Sequence, residues 1–237
     1  MRSLSSPFLA AFLLLGALAG CQPNVIGATP DAGADPVVDA GQSVDAGEPG
    51  DAGIRGAYPA GPYGITVNQR IQNFTFTGYY SDQSTALAST SPLRDFDLQS
   101  IRSAVDANGK PYRYLLIAIS AVWCQPCNSE AESLGLAGAD HANIERWLGR
   151  GGLFMTILVE GGQHGVSPTQ AELNYWITSH KVTNSVVMDT THQLASAGID
   201  PYGIPANLVV DLQTMKMVAG WSGNDPTYAR WEGVLAQ

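Results

Sequence analysis

The residues most able to do chemistry in this chain of 237 residues are two cysteines, Cys124 and Cys127, with two residues between them. A thiolate is the nucleophile of thiol–disulfide exchange, and two thiols at this spacing can alternate between a dithiol and a disulfide. Pro126 suits the first turn of a helix, because the N–H that it lacks would have no partner there. Cys124 is therefore predicted at a helix N-terminus, where free N–H groups and the helix dipole stabilise a thiolate.

A cysteine pair at this spacing has two other common uses. It can supply half of a zinc site, but the sequence has no second cysteine pair and no H-x3–5-H cluster to complete four ligands. It can form a purely structural disulfide, although such a bond stabilises a fold more when it closes a long loop than a single turn. We therefore expect a redox-active pair in which Cys124 attacks and Cys127 resolves, with no metal and no cofactor beyond the disulfide itself.

The elements that must position this pair follow from the hydrophobic pattern. The continuous apolar run from Leu115 to Ile119 leads into the cysteines and is typical of a buried central strand. Strands and helices alternate along the rest of the chain, which predicts one α/β domain of parallel βαβ units whose last two strands are antiparallel. Asp140 is the predicted N-cap of one helix, and Ser167 with Gln170 is the predicted capping box of the next. The other predicted strands are 73–78, 154–160, 186–189, 208–210 and 215–219. The helix that starts at the cysteine pair is predicted to continue through 129–136, and the other predicted helices are 97–105, 140–150, 168–180, 191–197 and 228–235.

Two motifs carry a resemblance to a known family. Segment 123–127, Trp-Cys-Gln-Pro-Cys, resembles the W-C-x-P-C signature of thioredoxin-fold proteins, and more narrowly of the TlpA-like and redoxin-type thiol–disulfide oxidoreductases of bacterial envelopes. Segment 202–206, Tyr-Gly-Ile-Pro-Ala, is similar to the segment in which that family carries a cis-proline facing the dithiol. The resemblance extends from about residue 67 to the C-terminus. It implies a thioredoxin-like three-layer α/β fold, with a mixed central sheet, helices on both faces and an added N-terminal hairpin.

The resemblance also implies roles for residues beside the cysteines. Trp123 would pack next to the site and shield it, with a plain core tryptophan as the alternative. If Pro205 is cis, the backbone of Ile204 would lie near Cys124 and could pair with an extended substrate strand. A trans proline in an ordinary loop is the alternative.

The sequence departs from thioredoxin in its acid–base groups. Thioredoxin has a buried aspartate six residues before the first cysteine, where this chain has Ala118. Glu160, at the end of the neighbouring predicted strand, is a candidate substitute, although we expect its carboxylate to be solvated at the surface. Asn128 and Glu130 follow the pair where thioredoxin has a lysine, so no added cation stabilises the thiolate there. The four histidines are expected to be ordinary surface or core residues: His141, His164, His180 and His192.

The N-terminal quarter predicts export and membrane attachment. The apolar segment from Phe8 to Leu18 is too short to span a bilayer and has the layout of a secretory signal. Segment 18–21, Leu-Ala-Gly-Cys, resembles the bacterial lipobox, which implies a signal peptide over 1–20 and lipidation of Cys21; an ordinary signal peptide is the alternative. Residues 21–54 are rich in Asp, Ala and Gly and predict a disordered linker before a thioredoxin-like domain over 55–237. Gln22 after the anchor points to the outer membrane, with the domain facing the periplasm.

Charge and composition narrow the possible partners. The net charge is −9, and no basic patch is present to hold phosphates, so nucleic-acid binding is not expected. We expect protein or small-molecule disulfides and dithiols as substrates. The dipeptide between the cysteines, Gln-Pro, is closer to the Gly-Pro of reductants than to the Pro-His of the strong envelope oxidant. Because the envelope is oxidising, a protein disulfide reductase there would need a membrane electron donor.

Other classes of protein share the same fold. A peroxidase of the peroxiredoxin type would need the pattern P-x-x-x-[ST]-x-x-C, which is absent before Cys124. A copper chaperone would want C-x-x-x-C and a nearby histidine, and the cysteine spacing here differs. A non-enzymatic lipoprotein that uses the fold as a binding module is the remaining alternative to an enzyme.

Overall fold

The computed structural model of the protein describes residues 55–81, 88, 90, 92–199 and 203–236. Within these residues the chain forms seven strands and six helices. In chain order they are β1 (Thr75–Tyr79), β2 (Arg94–Asp97), α1 (Leu98–Arg102), β3 (Tyr114–Ala121), α2 (Gln125–Leu134), α3 (Ala142–Gly149), β4 (Gly152–Glu160), α4 (Gln170–His180), β5 (Ser185–Met188), α5 (Gln193–Ser196), β6 (Ala206–Asp211), β7 (Lys216–Ser222) and α6 (Ala229–Leu235).

The strands form one mixed sheet in the order β2-β1-β5-β4-β3-β6-β7. Strands β3, β4 and β5 are parallel neighbours, which confirms the predicted βαβ units. Strand β6 pairs antiparallel with β3, and β7 pairs antiparallel with β6, as their short connection predicts. At the other edge, β1 and β2 form the added N-terminal hairpin, with β1 antiparallel to β5.

The two faces of the sheet carry different apolar clusters because side chains alternate along each strand. Leu115, Ile117 and Ile119 of β3 belong to the cluster on one face, and Leu116 and Ala118 belong to a cluster on the other. Helices cover both faces. The first face is covered by Leu98 and Ile101 of α1, Leu194 of α5 and Ile71, and the second by Leu134 of α2, Ile144 and Trp147 of α3, Trp176 of α4 and Trp231 of α6. The predicted thioredoxin-like α/β fold class, with its mixed sheet and N-terminal hairpin, is confirmed.

One predicted helix start is wrong because two overlapping segments, Ser167 to Gln170 and Thr169 to Glu172, could each form a capping box. The N-cap of α4 is Thr169, whose hydroxyl accepts from the N–H of Glu172, while the Glu172 carboxylate accepts from the N–H of Thr169. The predicted pair of Ser167 and Gln170 is not used, and the Ser167 hydroxyl lies 3.0 Å from Nε2 of His192 instead. A charged glutamate is a stronger acceptor than a neutral glutamine and also interacts favourably with the helix dipole, so the second box prevails.

A second predicted cap is also wrong. Helix α3 begins at Ala142 with His141 at the N-cap position, and no side chain caps it. The carboxylate of Asp140, the predicted cap, instead accepts a hydrogen bond from the hydroxyl of Ser133 at the end of α2. Asp140 therefore holds the end of α2 to the following loop and does not cap α3.

Thr169→Ala is expected to lower the free energy of unfolding by about 1 kcal/mol, because it removes the acceptor for an N–H of the first turn of α4. Thr178→Ala is the matched control: Thr178 lies exposed on the same helix, and its hydroxyl bonds to the carbonyl of Asn174 within the helix. Alanine is the better helix former there, so the control is expected to be neutral or stabilising. Urea unfolding measures both, and equal losses would contradict the assigned cap.

Candidate active site

The cysteine pair lies where the central strand β3 passes into α2. Cys124 is the N-cap of α2, with extended backbone angles, and Pro126 lies in the first turn, in agreement with the predicted helix start. The sulfur of Cys124 accepts a hydrogen bond from the N–H of Cys127 at 3.3 Å. A helix of ten residues therefore directs its free N–H groups and the positive end of its dipole at Cys124.

Cys124 and Cys127 are joined by a disulfide, with their Cα atoms 5.3 Å apart. The structure is therefore that of the oxidised protein. The two residues are only 2% and 1% exposed. A thiol or disulfide that reacts here must displace side chains packed beside the sulfurs, so the neighbours of the pair control access to it.

The loop before β6 supplies one of these neighbours. The peptide bond between Ile204 and Pro205 is cis. Ile204 packs against the apolar cluster that contains both cysteines and also against the cluster on the opposite face of the sheet. Strand β6 carries this loop to the cysteines because it pairs with β3, with Ala206 opposite Ile119. Residues 200–202 of the same loop lie outside the described part of the chain.

Trp123, directly before the pair, is not a core tryptophan, since 36% of it is exposed. Its indole Nε1 donates a hydrogen bond to Oε2 of Glu160 at 2.5 Å. The imidazole of His164 stacks on the indole, with ring centroids 4.9 Å apart and planes inclined by 24°. Glu160 is only 4% exposed, so the expectation that its carboxylate is solvated was wrong. It is buried because Trp123 and His164 cover the end of β4.

Glu130, predicted only to stand where thioredoxin has a lysine, shares a cavity with the resolving cysteine. Glu130 is 7% exposed, and its Oε1 atom makes no hydrogen bond within the described residues. Burial, reinforced by the negative charge of Asp225, raises the pKa of Glu130 to about 7. With Cys127 and Ala118, it lines a cavity of about 10 Å³, close to the smallest volume that holds one water molecule.

The spacing in the sequence contained a signal for this arrangement. Residues three apart on a helix lie on the same face, so a helix that buries Cys127 also turns Glu130 inward. Ala118, which replaces the aspartate of thioredoxin, leaves space beneath that face. Glu130 is therefore a buried carboxyl group beside Cys127, and the carboxylate of Glu160 is hydrogen-bonded to Trp123 instead.

Asn128 holds the backbone around Cys124. Its Nδ2 donates to the carbonyls of Val122 and Cys124 at 3.0 and 2.7 Å, and its Oδ1 lies 2.9 Å from Nε2 of His180. Because Oδ1 can only accept, His180 must donate from Nε2. Burial lowers the pKa of His180, which favours its neutral form. His180 therefore has a structural role behind the site.

Within the described residues, no group of three or more His, Cys, Asp or Glu side chains lies together as a possible metal site. None of the described helices is both long enough and apolar enough to cross a membrane. Cys21, the predicted lipidation site, lies outside the described residues.

A cysteine pair at the head of the helix after the central strand, in a sheet of this strand order, gives the molecule the fold of the thiol–disulfide oxidoreductases of the thioredoxin type. The chain matches no family model. It also matches no curated protein.

Several solved structures are similar to the chain. One is a putative thiol:disulfide interchange protein DsbE from Chlorobium tepidum, with 13% identity, a TM-score of 0.49, and coverage of 73% of this chain and 97% of that one. Another is the exposed lipoprotein thioredoxin Etrx1 from Streptococcus pneumoniae, with 14% identity, a TM-score of 0.45, and coverage of 70% and 100%. A third is the reduced 2-Cys peroxiredoxin of Plasmodium vivax, with 10% identity, a TM-score of 0.48, and coverage of 72% and 80%.

Proposed function

We propose that the protein is a thiol–disulfide oxidoreductase of the bacterial cell envelope that reduces disulfides in other proteins. The observation that carries the proposal is the Cys124–Cys127 disulfide at the N-terminus of α2, beside the loop of Ile204 and Pro205. A bond that closes a single turn adds little as a staple. A pair at a helix N-terminus is instead suited to exchange, because the helix stabilises the thiolate that attacks or leaves.

The reducing cycle starts from the dithiol. The Cys124 thiolate attacks one sulfur of a substrate disulfide, so that a mixed disulfide forms and the second substrate sulfur leaves and takes up a proton. Cys127 then gives up its proton and attacks the sulfur of Cys124, which releases the substrate as a dithiol. Two electrons pass to the substrate, and the protein is left with the disulfide seen here. Glu130 is suited to accept the proton of Cys127, because both line the same cavity.

Substrate binding is assigned to the side chains and backbone around the sulfurs. Ile204 packs against the cysteine cluster, and its backbone is assigned to hydrogen bonding with an extended polypeptide. Trp123, which directly precedes Cys124 in the sequence, adds an exposed aromatic surface. Both contacts suit a polypeptide better than a small molecule.

The proposed location of the protein is the cell envelope, with the folded domain facing the periplasm. A lipid on Cys21 would attach the chain to a membrane, favouring the outer membrane because Gln22 follows, and residues 21–54 would act as a tether. The oxidised pair must be reduced again after each cycle, so the proposal includes a membrane protein as electron donor.

The proposal is tested by reduction of insulin, with the Cys124→Ser variant as the control. The wild-type protein is expected to turn over insulin with a chemical reductant, and the variant is expected to show only the uncatalysed rate. The reduction potential of the pair sets the direction: a value near about −270 mV supports a reductase, and one near about −120 mV makes the protein an oxidant. If neither insulin nor a small disulfide reacts, the binding-module alternative replaces the proposal.

A further inference from the structure

Both the backbone and the side chain of Trp123 form hydrogen bonds with the end of β4 and the loop that follows it, residues 160–166. The N–H of Val122 donates to the carbonyl of Glu160 at 3.0 Å, and the N–H of Trp123 donates to the carbonyl of Gly161 at 3.2 Å. The indole Nε1 donates to the Glu160 carboxylate at 2.5 Å. The indole of Trp123 can therefore rotate away from its position only if its hydrogen bond to Glu160 breaks.

The loop that holds Trp123 is itself closed. The N–H of Gly161 donates to the carbonyl of Val166 at 2.7 Å, and the N–H of Gly162 donates to Oε1 of Glu172 at 2.6 Å. Glu172 is also part of the capping box of α4. The loop is thus fixed to the first turn of a helix, and this places His164 over the indole.

Glu160 and His164 hold the indole from two directions. The buried carboxylate of Glu160 fixes the edge that carries Nε1, and the imidazole of His164 covers a face of the ring. Nδ1 of His164 also lies 3.9 Å from Oε2 of Glu160, so the two residues contact each other as well as Trp123. A buried carboxylate without a donor is unfavourable, which makes the bond to Trp123 costly to break.

We propose that Glu160 and His164 are positioning residues that hold Trp123 as a fixed aromatic surface beside the cysteine pair, against which a polypeptide substrate packs. The inference rests on the proposed function. An indole that is already held loses little conformational entropy when a polypeptide binds, so more of the contact energy contributes to affinity. A small disulfide that reacts at Cys124 is too small to cover this surface as well.

The first experiment compares insulin with hydroxyethyl disulfide as substrates of the full-length protein. His164→Ala, which removes the stacked ring, is expected to raise KM for insulin by about fivefold. His164→Phe keeps a ring over the indole and is expected to stay within about twofold of the wild type. Turnover of hydroxyethyl disulfide is expected to be unchanged in both variants. Equal losses for His164→Ala and His164→Phe, or for the two substrates, would overturn the inference.

A double-mutant cycle tests whether His164 acts through Trp123. In a Trp123→Ala background the further change His164→Ala is expected to have no effect on KM for insulin, because the ring on which the imidazole stacks is gone. A second loss as large as the first would show that His164 contacts the substrate directly, and would overturn its assignment as a positioning residue.

The third measurement does not depend on turnover. The indole N–H of Trp123, assigned in NMR spectra with Trp123→Phe, is expected to exchange slowly with solvent in the wild type and faster in Glu160→Leu, while Glu160→Gln keeps an acceptor and restores much of the protection. The same exchange rate in the wild type and in Glu160→Leu would overturn the inference. If the wild type reduces neither substrate, the proposed function fails, and this measurement alone decides whether Glu160 holds the indole.

Discussion

Replacing Cys127 with serine is expected to stop turnover and to leave the protein joined to its substrate through Cys124. The serine hydroxyl fits the position of the thiol, but it cannot displace a sulfur from a disulfide at neutral pH. The first step remains, because Cys124 keeps its place at the N-cap of α2. Mixing the reduced variant with insulin should therefore give a covalent adduct in a mass spectrum without reductant, and no adduct after a strong reductant is added.

Cys124→Ser is the matched control for this trap. The exposures of the two cysteines do not identify the attacker, since they are 2% and 1%. Their positions do, because only Cys124 lies at the N-cap, where the free N–H groups of the helix stabilise a thiolate. Cys124→Ser is therefore expected to form no adduct over the same time. An adduct that formed through Cys127 at a similar rate would reverse the assigned roles.

Glu130→Gln is expected to remove a fall in stability that the oxidised wild type shows between about pH 4.5 and pH 7. Burial first, and the charge of Asp225 second, raise the pKa of Glu130 from 4.5 to about 7 in the folded protein. The folded state then binds the proton more tightly than the unfolded state, so the free energy of unfolding falls as pH rises through this range. Each tenfold change in proton affinity corresponds to about 1.4 kcal/mol, so the free energy of unfolding is expected to fall by about 3 kcal/mol over the whole range.

Urea unfolding at several values of pH measures this fall. Above pH 7 the neutral glutamine variant should be the more stable protein, and below about pH 4.5 the two should be similar. Glu145→Gln is the control, because Glu145 lies exposed on the neighbouring helix α3, and the fall between about pH 4.5 and pH 7 should persist in this variant. Parallel stability curves for the wild type and Glu130→Gln would show that the burial of Glu130 has no effect on its ionisation.

The same substitution is expected to slow the second step of the redox cycle. A carboxylate with a pKa near neutral pH is matched to a thiol proton, and Glu130 shares a cavity with Cys127. Its loss should slow the release of substrate from Cys124 by on the order of a hundredfold, and the pH dependence near 7 should disappear. Asp225→Asn removes the second cause of the raised pKa, so it should move that dependence to lower pH without abolishing it.

The local features of this protein were predictable from the sequence because they depend on neighbouring residues. The apolar run before the cysteines forms the buried strand β3, and Pro126 places Cys124 at the start of α2. The alternation of strands and helices determines the parallel order of β3, β4 and β5, and hence the fold class. Local signals were insufficient where two of them competed, as at Thr169 and Ser167, and where a contact with another element engaged the predicted cap, as at Asp140. The predicted lipidation of Cys21 and the predicted linker stay predictions, because they lie outside the described residues.

The environment of the cysteines was decided by tertiary structure. From the sequence, Glu160 was the candidate acid–base group and Glu130 was not considered, whereas the structure places Glu130 in the cavity that Cys127 lines and pairs Glu160 with Trp123. The three-residue spacing from Cys127 puts Glu130 on the same face of α2, but the cavity that the two residues share exists only because α2 packs over the sheet beside α4. The stack of His164 on Trp123 likewise joins residues far apart in sequence, because β3 and β4 are neighbours in the sheet. The reactive pair is thus a property of a short segment, whereas the buried carboxyl group beside Cys127 and the stack of His164 on Trp123 form only once the strands are paired.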